Sequence, residues 1–322
     1  MIPAPRNALL TTVLAVAAAA APAAASPPGT TVLVDRPDGF GAALSGAGAG
    51  SAAGAGDAVS ATGRYVVFTS AADGLSPADD DRVVNVYRKD RATGAVVLVS
   101  VATGGTPSRG DAGEPQISDD GNRIAFAAQD PALDPSANGG ARNVYVRDVA
   151  AGTTTLASRA SGASGLPVEA TAPALSGDGA AVAFVTTAAL SHDANSVPDV
   201  YVRRLAAQQT ELVSRSTGAD GTSGTRAADE PSLDADGTEI AFSTASALHP
   251  EDKNNRRDVY RRSTGTGQTP YTDLVSVRES VFAAGNGESF DPSISADGAS
   301  VAYRSSATDL DSQVTDTDGG AA

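Results

Sequence analysis

A ten-residue pattern returns five times in this chain, and its spacing leaves few architectures open. It reads VSATGRYVVF ending at Phe68, ISDDGNRIAF at Phe126, LSGDGAAVAF at Phe184, LDADGTEIAF at Phe242 and ISADGASVAY at Tyr303. The turn glycines Gly63, Gly121, Gly179, Gly237 and Gly298 lie 58, 58, 58 and 61 residues apart. A second landmark follows four of the copies: NVYRKD with Tyr87, NVYVRD with Tyr145, DVYVRR with Tyr201 and DVYRRS with Tyr260. A third closes each of these units, at Ser100, Ser158, Ser214 and Ser276. A fixed period of this length marks a repeat architecture, in which each unit buries its apolar faces against its neighbours.

Each unit holds four short β-prone runs. In the second copy the expected strands are Pro115 to Ser118, Arg123 to Ala128, Asn143 to Val149 and Thr153 to Arg159. Asp-Gly and Ala-Gly separate the first and last pairs, and glycine there supplies the positive φ of a tight hairpin. The unit is therefore an antiparallel meander. Four-stranded meanders repeated about an axis give an all-β propeller of about five blades. Solenoid coils are shorter and lack hairpin turns. Phe68, Phe126, Phe184, Phe242 and Tyr303, with Tyr87, Tyr145, Tyr201 and Tyr260, recur at two positions and are expected to fill the gaps between blades.

The S-x-D-G-x-x-(V/I)-A-F run followed by D-V-Y-V-R-D resembles the WD-like propeller repeats of the TolB type, found in many exported bacterial proteins. The resemblance covers Ala58 to Ser306. It implies the fold and says little of activity, because one propeller scaffold hosts binding proteins, lyases and regulatory domains.

The ends divide the chain further. Residues 1–25 carry one cation, Arg6, and an Ala-rich apolar run, and read as a secretory signal. The mature protein is thus expected to be secreted or periplasmic, with no membrane span once the signal is removed. Residues 26–56 are expected to hold a closing strand, Thr31 to Asp35, and a Gly/Ala linker from Gly39 to Gly56; repeats occupy 57–308 and a disordered tail 309–322. The fifth copy lacks its third and fourth strands, so the N-terminal strand is expected to complete that last blade.

Composition bounds the partners. With 23 Lys and Arg against 38 Asp and Glu, the net charge is −15, which disfavours nucleic acid. There is no cysteine, so the core alone must hold the fold, and no disulfide or thiolate metal site exists. The chain is read as a monomer.

Three groups of residues are candidates for function, all in the loops or the innermost strands. Asp79, Asp81 and Asn85, then Asp193, Asn195 and Asp199, then Asp252, Asn254 and Asp258 offer oxygens at spacings suited to Ca²⁺, and equally suited to capping turns. Asp57, Glu114, Glu230 and Asp291 fall just before the first strand of their units, with Ala172 the exception, and are expected to ring the channel mouth. His192 and His249 lie in loops of adjacent repeats, near enough in the expected fold to meet. The chain has no Gly-x-Ser-x-Gly elbow and no His-Glu-x-x-His. These features favour a non-catalytic propeller binding a protein or cell-envelope partner through its long-loop face. The alternative is an extracellular polymer hydrolase or lyase with a cation at the channel mouth.

Overall fold

A computed structural model describes residues 51–52, 58–79, 83–265, 269–279 and 281–311. The expected signal, the expected closing strand Thr31 to Asp35, the tail beyond 311, and Asp57 and Asp81 lie outside the described residues. Five antiparallel sheets follow one another along the chain. The first contains β1 (Ser51–Ala52), β2 (Tyr65–Ser70), β3 (Asn85–Asp90) and β4 (Val96–Leu98). The second contains β5 (Ala112–Ile117), β6 (Arg123–Ala128), β7 (Asn143–Asp148) and β8 (Thr153–Leu156). The third contains β9 (Thr171–Leu175), β10 (Ala181–Thr186), β11 (Asp199–Arg204) and β12 (Gln209–Leu212). The fourth contains β13 (Ala228–Leu233), β14 (Glu239–Thr244), β15 (Asp258–Ser263) and β16 (Tyr271–Leu274), and the fifth only β17 (Ser289–Ile294) and β18 (Val301–Ser305).

The strands differ from expectation mainly at the inner edge. The innermost strand of the second sheet begins at Ala112, not Pro115, because the chain pairs on both sides of a bulge at Glu114 and Pro115. Ser51 and Ala52, read as linker, pair with Ser70 and Thr69 as the inner strand of the first sheet. Among the described residues no helix is long and apolar enough to cross a membrane.

Stacking follows from the period-two alternation of the central strands. Phe184 and Tyr201 are cross-strand partners, with ring centroids 6.1 Å apart, and project from one face of the third sheet. They pack into a cluster with Ala125, Ala127, Val144 and Val146 from the opposite face of the second sheet. Phe126 and Tyr145 meet Val67 and Val86 of the first sheet in the same way, and Phe242 and Tyr260 meet Ala183, Val200 and Val202 of the third. The second, third and fourth sheets therefore each present aromatic residues to Ala or Val on the sheet before. The four Phe–Tyr pairs are almost completely buried. On the fifth sheet, Ala302 and Arg304 of the outward face are exposed. Inner strands β5, β9, β13 and β17 touch in succession, so the sheets fan about a common axis; among the described residues the fifth does not close onto the first.

The outer edges are covered as well. After β8 the chain turns back at Arg159 and Pro167 and runs beside β12, where Gly162 N donates to Gln208 O at 2.7 Å and Thr210 N to Ser161 Oγ at 2.9 Å. Thr103 and Thr217 make the matching bonds to Thr154 and Thr272. These connections satisfy the unpaired edge of the next sheet.

The repeat glycines serve stacking as well as turning. Gly237 has φ +69°, and a Cβ there would lie 2.7 Å from Ala181 Cβ of the preceding sheet. Gly152 has the same φ of +69° with nothing within 4 Å. Gly152→Ala is expected to cost about 1 kcal/mol in denaturant unfolding, from backbone strain alone. Gly237→Ala should cost at least about 2 kcal/mol, because overpacking adds to that strain. Equal costs would contradict the close stacking of turns.

Candidate functional site

The inner strands β5, β9, β13 and β17 line an open cavity of about 640 Å³, the described part of the expected channel, with Glu114, Asp229, Glu230 and Asp291 in its wall. The structure brings three of the four expected acids into this channel; Asp57 lies outside the described residues. They sit within the inner strands, not before them. Glu114, Ala172, Glu230 and Asp291 occupy one repeat position, each with positive φ, at 55°, 49°, 58° and 52°. Each precedes a proline and marks a register shift in its strand pair. A bulge leaves one residue out of the ladder, so a proline without an N–H is tolerated there.

A left-handed backbone at a non-glycine residue is costly, and bonds between sheets hold it in place. Glu114 Oε2 accepts from Ala172 N of the next sheet at 2.8 Å, and Glu230 Oε2 accepts from Asp291 N at 2.9 Å. Ala172 has no carboxylate to extend to the fourth sheet. There Glu230 N donates instead to Asp229 Oδ1 at 2.8 Å. The acids are also matched by arginines: Arg142 with Glu114 at 3.0 Å, Arg257 with Glu230 at 3.7 Å and Arg304 with Asp291 at 2.8 Å. The channel wall is thus a belt of ion pairs and latches in which three of its four acids face an arginine.

The expected loop ligands have partners of their own. Asp193 Oδ2 accepts from Tyr201 OH at 2.8 Å, and the carboxylates of Asp79 and Asp252 accept from Tyr87 OH and Tyr260 OH. Asn195 Nδ2 donates to Gly224 O and Asn254 Nδ2 to Gly285 O, both at 2.9 Å, tying each loop to the following connection. Asn85, Asp199 and Asp258 are fully buried and accept from Ser100, Ser214 and Ser276 Oγ at 2.5, 2.5 and 2.6 Å. The same serine oxygens accept from Val86 N, Val200 N and Val259 N. The loop oxygens thus form one repeated network joining the second long loop, the third strand and the closing serine. Among the described residues no group of three or more His, Asp and Glu side chains gathers to hold a metal ion.

The two histidines serve their own loops. His192, exposed and with φ +63°, has Nδ1 2.6 Å from Ser191 Oγ. His249 Nδ1 accepts from Glu251 N at 3.2 Å, and its ring meets the edge of Phe282 with centroids 5.3 Å apart. Beside it Val281 is 49% and Phe282 55% exposed.

Sequence reasoning missed the arginines and Asp229. A signal existed: Arg142 and Arg257 both stand immediately before the Val-Tyr strand, in the units whose bulge residue is Glu. The unit with Ala172 has Pro198 there, so acid and base are lost together.

The class defined by this geometry is an all-β array of meander sheets fanned around an ion-paired channel. No family model and no curated protein matches the chain. Among solved structures it is similar to TolB from Acinetobacter baumannii, at 18% identity and TM-score 0.40, over 69% of this chain and 43% of that one. It is similar to a putative TolB from Agrobacterium tumefaciens, at 16% and 0.44, over 80% and 70% of the two chains. An oligogalacturonate lyase in complex with manganese matches at 13% and 0.45, over 77% and 57%. At these identities the likeness concerns fold alone, and the reading of this chain rests on its own pairings, cavity and charges.

Burial pushes the Asp199 carboxyl up to about 7, against the hydrogen bond from Ser214, and Asp258 up to about 6. A carboxyl raised in the folded state stabilises fully below its unfolded pKa, and that contribution is lost as pH rises through the folded value. Asn85 and Asn143 occupy the same position in the first two units and stay neutral at any pH. Asp199→Asn is therefore expected to gain stability relative to the parent between pH 4 and pH 7 in parallel urea titrations. A difference independent of pH would exclude a buried neutral acid.

Proposed function

We propose that this chain is an exported, non-catalytic propeller that binds a protein or cell-envelope partner through the face carrying its second-to-third-strand loops. The observation that carries this reading is the pairing of chemistry with exposure. The channel acids are engaged by amides and guanidinium groups, whereas Val281 and Phe282 stand exposed beside His249 on the loop side. Aromatic and aliphatic side chains left in water at a rigid surface are characteristic of contact sites. The net charge of −15 disfavours a nucleic acid as that partner.

The proposed ring is completed by Thr31 to Asp35 pairing with β18, the outermost strand of a sheet with only two strands among the described residues. That strand would supply the third member of the fifth blade. Binding of Ca²⁺ by the second-to-third-strand loops would require the tyrosine and amide donors now on those oxygens to give way.

Photo-crosslinking in envelope extract tests the contact face, using the parent and a variant with Val281→Ser and Phe282→Ser. Both side chains are half exposed, so the variant should fold normally. The reading predicts a discrete crosslinked partner that the variant captures at least tenfold less. Equal capture would place the contact elsewhere.

A further inference from the structure

The third strand of each complete unit carries a buried cation: Lys89, Arg147, Arg203 and Arg262. Arg203 Nη1 donates to Ala160 O at 3.0 Å and to Thr210 Oγ1 at 2.8 Å, and Arg262 Nη1 to Ser216 O at 3.0 Å and Thr272 Oγ1 at 2.7 Å. These bonds fasten each sheet to the connection arriving from the sheet before. In two places a second buried arginine joins the first: Arg159, 8% exposed, near Arg203, 4% exposed, and Arg215 near Arg262. Two desolvated guanidinium groups repel one another unless an anion compensates them.

The repeat supplies its own comparison. At the Arg215–Arg262 pair the carboxylate of Glu211 acts favourably on both cations. At the Arg159–Arg203 pair the residue in the Glu211 position is Thr155. Among the described residues none of these four arginines has a carboxylate within salt-bridge distance, but Glu211 is near enough to act on Arg215 and Arg262, whereas no acid acts on Arg203, and Arg159 and Arg203 donate to the neutral oxygens of Ala160, Gly162, Gly165 and Thr210. Burial and the neighbouring Arg159 charge pull the Arg203 guanidinium down to about 10. Where the carboxylate is missing, the surface opens into a cavity of about 390 Å³. Its lining includes Arg123, Asp148, Thr155, Arg159, Arg203 and Gln208. Thr155 and Gln208 are exposed, so the cavity is reached from solvent. Asp148, also in the lining, is engaged with Arg123 at 3.6 Å and Asn122 at 2.9 Å.

We propose that this cavity between the second and third sheets is an oxyanion-binding site, in which a phosphate, sulfate or carboxylate group takes the place that Glu211 fills one unit later. Guanidinium groups suit this role because their planar N–H forks match oxyanion geometry and stay charged when desolvated. The site lies on the short-turn side of the array, beside the Ala180 and Ala206 turns, and is separate from the proposed contact face. An anionic ligand is thereby accommodated on a protein of net charge −15, because the local field of the arginine pair, not the overall charge, decides binding there.

The test is thermal unfolding of the full chain in inorganic phosphate, sulfate or acetate against chloride at equal ionic strength, with the phosphate affinity measured by calorimetry. The parent should bind one phosphate per chain, with a saturable rise in Tm of about 3 °C at ten times the Kd. Thr155→Glu installs the carboxylate found in the next unit and should abolish the phosphate response while raising Tm in chloride. Arg159→Gln, the alternative should Thr155→Glu fail to fold, should weaken phosphate at least tenfold. The relative responses to phosphate, sulfate and acetate identify the preferred oxyanion. No response in the parent beyond chloride, or the same response in the parent and in the folded variants, would overturn the proposal.

Discussion

A four-stranded meander has two faces, and in this chain neither is left to water by itself. The structure depends on an asymmetry between them: every complete unit sets a Phe–Tyr pair on one face and smaller side chains on the other, Val67 and Val86 in the first, Ala and Val in the second and third, and Ala241 and Val259 in the fourth. A large face fits only a small one at interior packing density, so each sheet accepts its neighbour in one sense and the array fans in one direction. Exposure of Ala302 and Arg304 on the last sheet marks where that sequence of contacts stops among the described residues.

Polar groups follow the same logic. Burying sheets against one another also buries bulges, strand ends and edges, whose amides must find acceptors. The chain solves this once per unit and repeats the solution. A carboxylate at the bulge reaches the amide of the next bulge, a serine caps the third strand, and an arginine holds the preceding connection. Of the acids that look like a cation ring in the sequence, Glu114 and Glu230 are therefore latches between sheets, and these two and Asp291 are each matched by an arginine. Departures from the repeat become informative for that reason. Ala172 is offset by Asp229, whereas at Thr155 no carboxylate among the described residues comes within salt-bridge distance of Arg159 or Arg203, and a cavity lies beside it.

Much of the fold was legible because its determinants are local. Asp-Gly turns and alternating apolar runs located Arg123–Ala128 at its observed bounds and placed the paired aromatics in the core. The inner strands were harder to read. Their alternation is broken by a bulge carrying proline, which resembles a turn when only sequence is considered. The pairing of the outer connections was not legible because their partners are edge strands some fifty residues away, beyond the reach of local patterning. For the site, residue types were visible but their occupation was not. Glu114 reads as a free carboxylate until Arg142 and the amide of Ala172 are placed beside it.

The central claim is that the aromatic face of one sheet rests on the aliphatic face of the sheet before it. A double-mutant cycle across the second and third sheets measures this directly, using Val146→Ala and Phe184→Ala, whose residues share one buried cluster. Stacked sheets predict a coupling of about 1 kcal/mol between the two substitutions in urea unfolding. Additive losses, within about 0.3 kcal/mol, would mean that the two faces do not touch and would contradict the account.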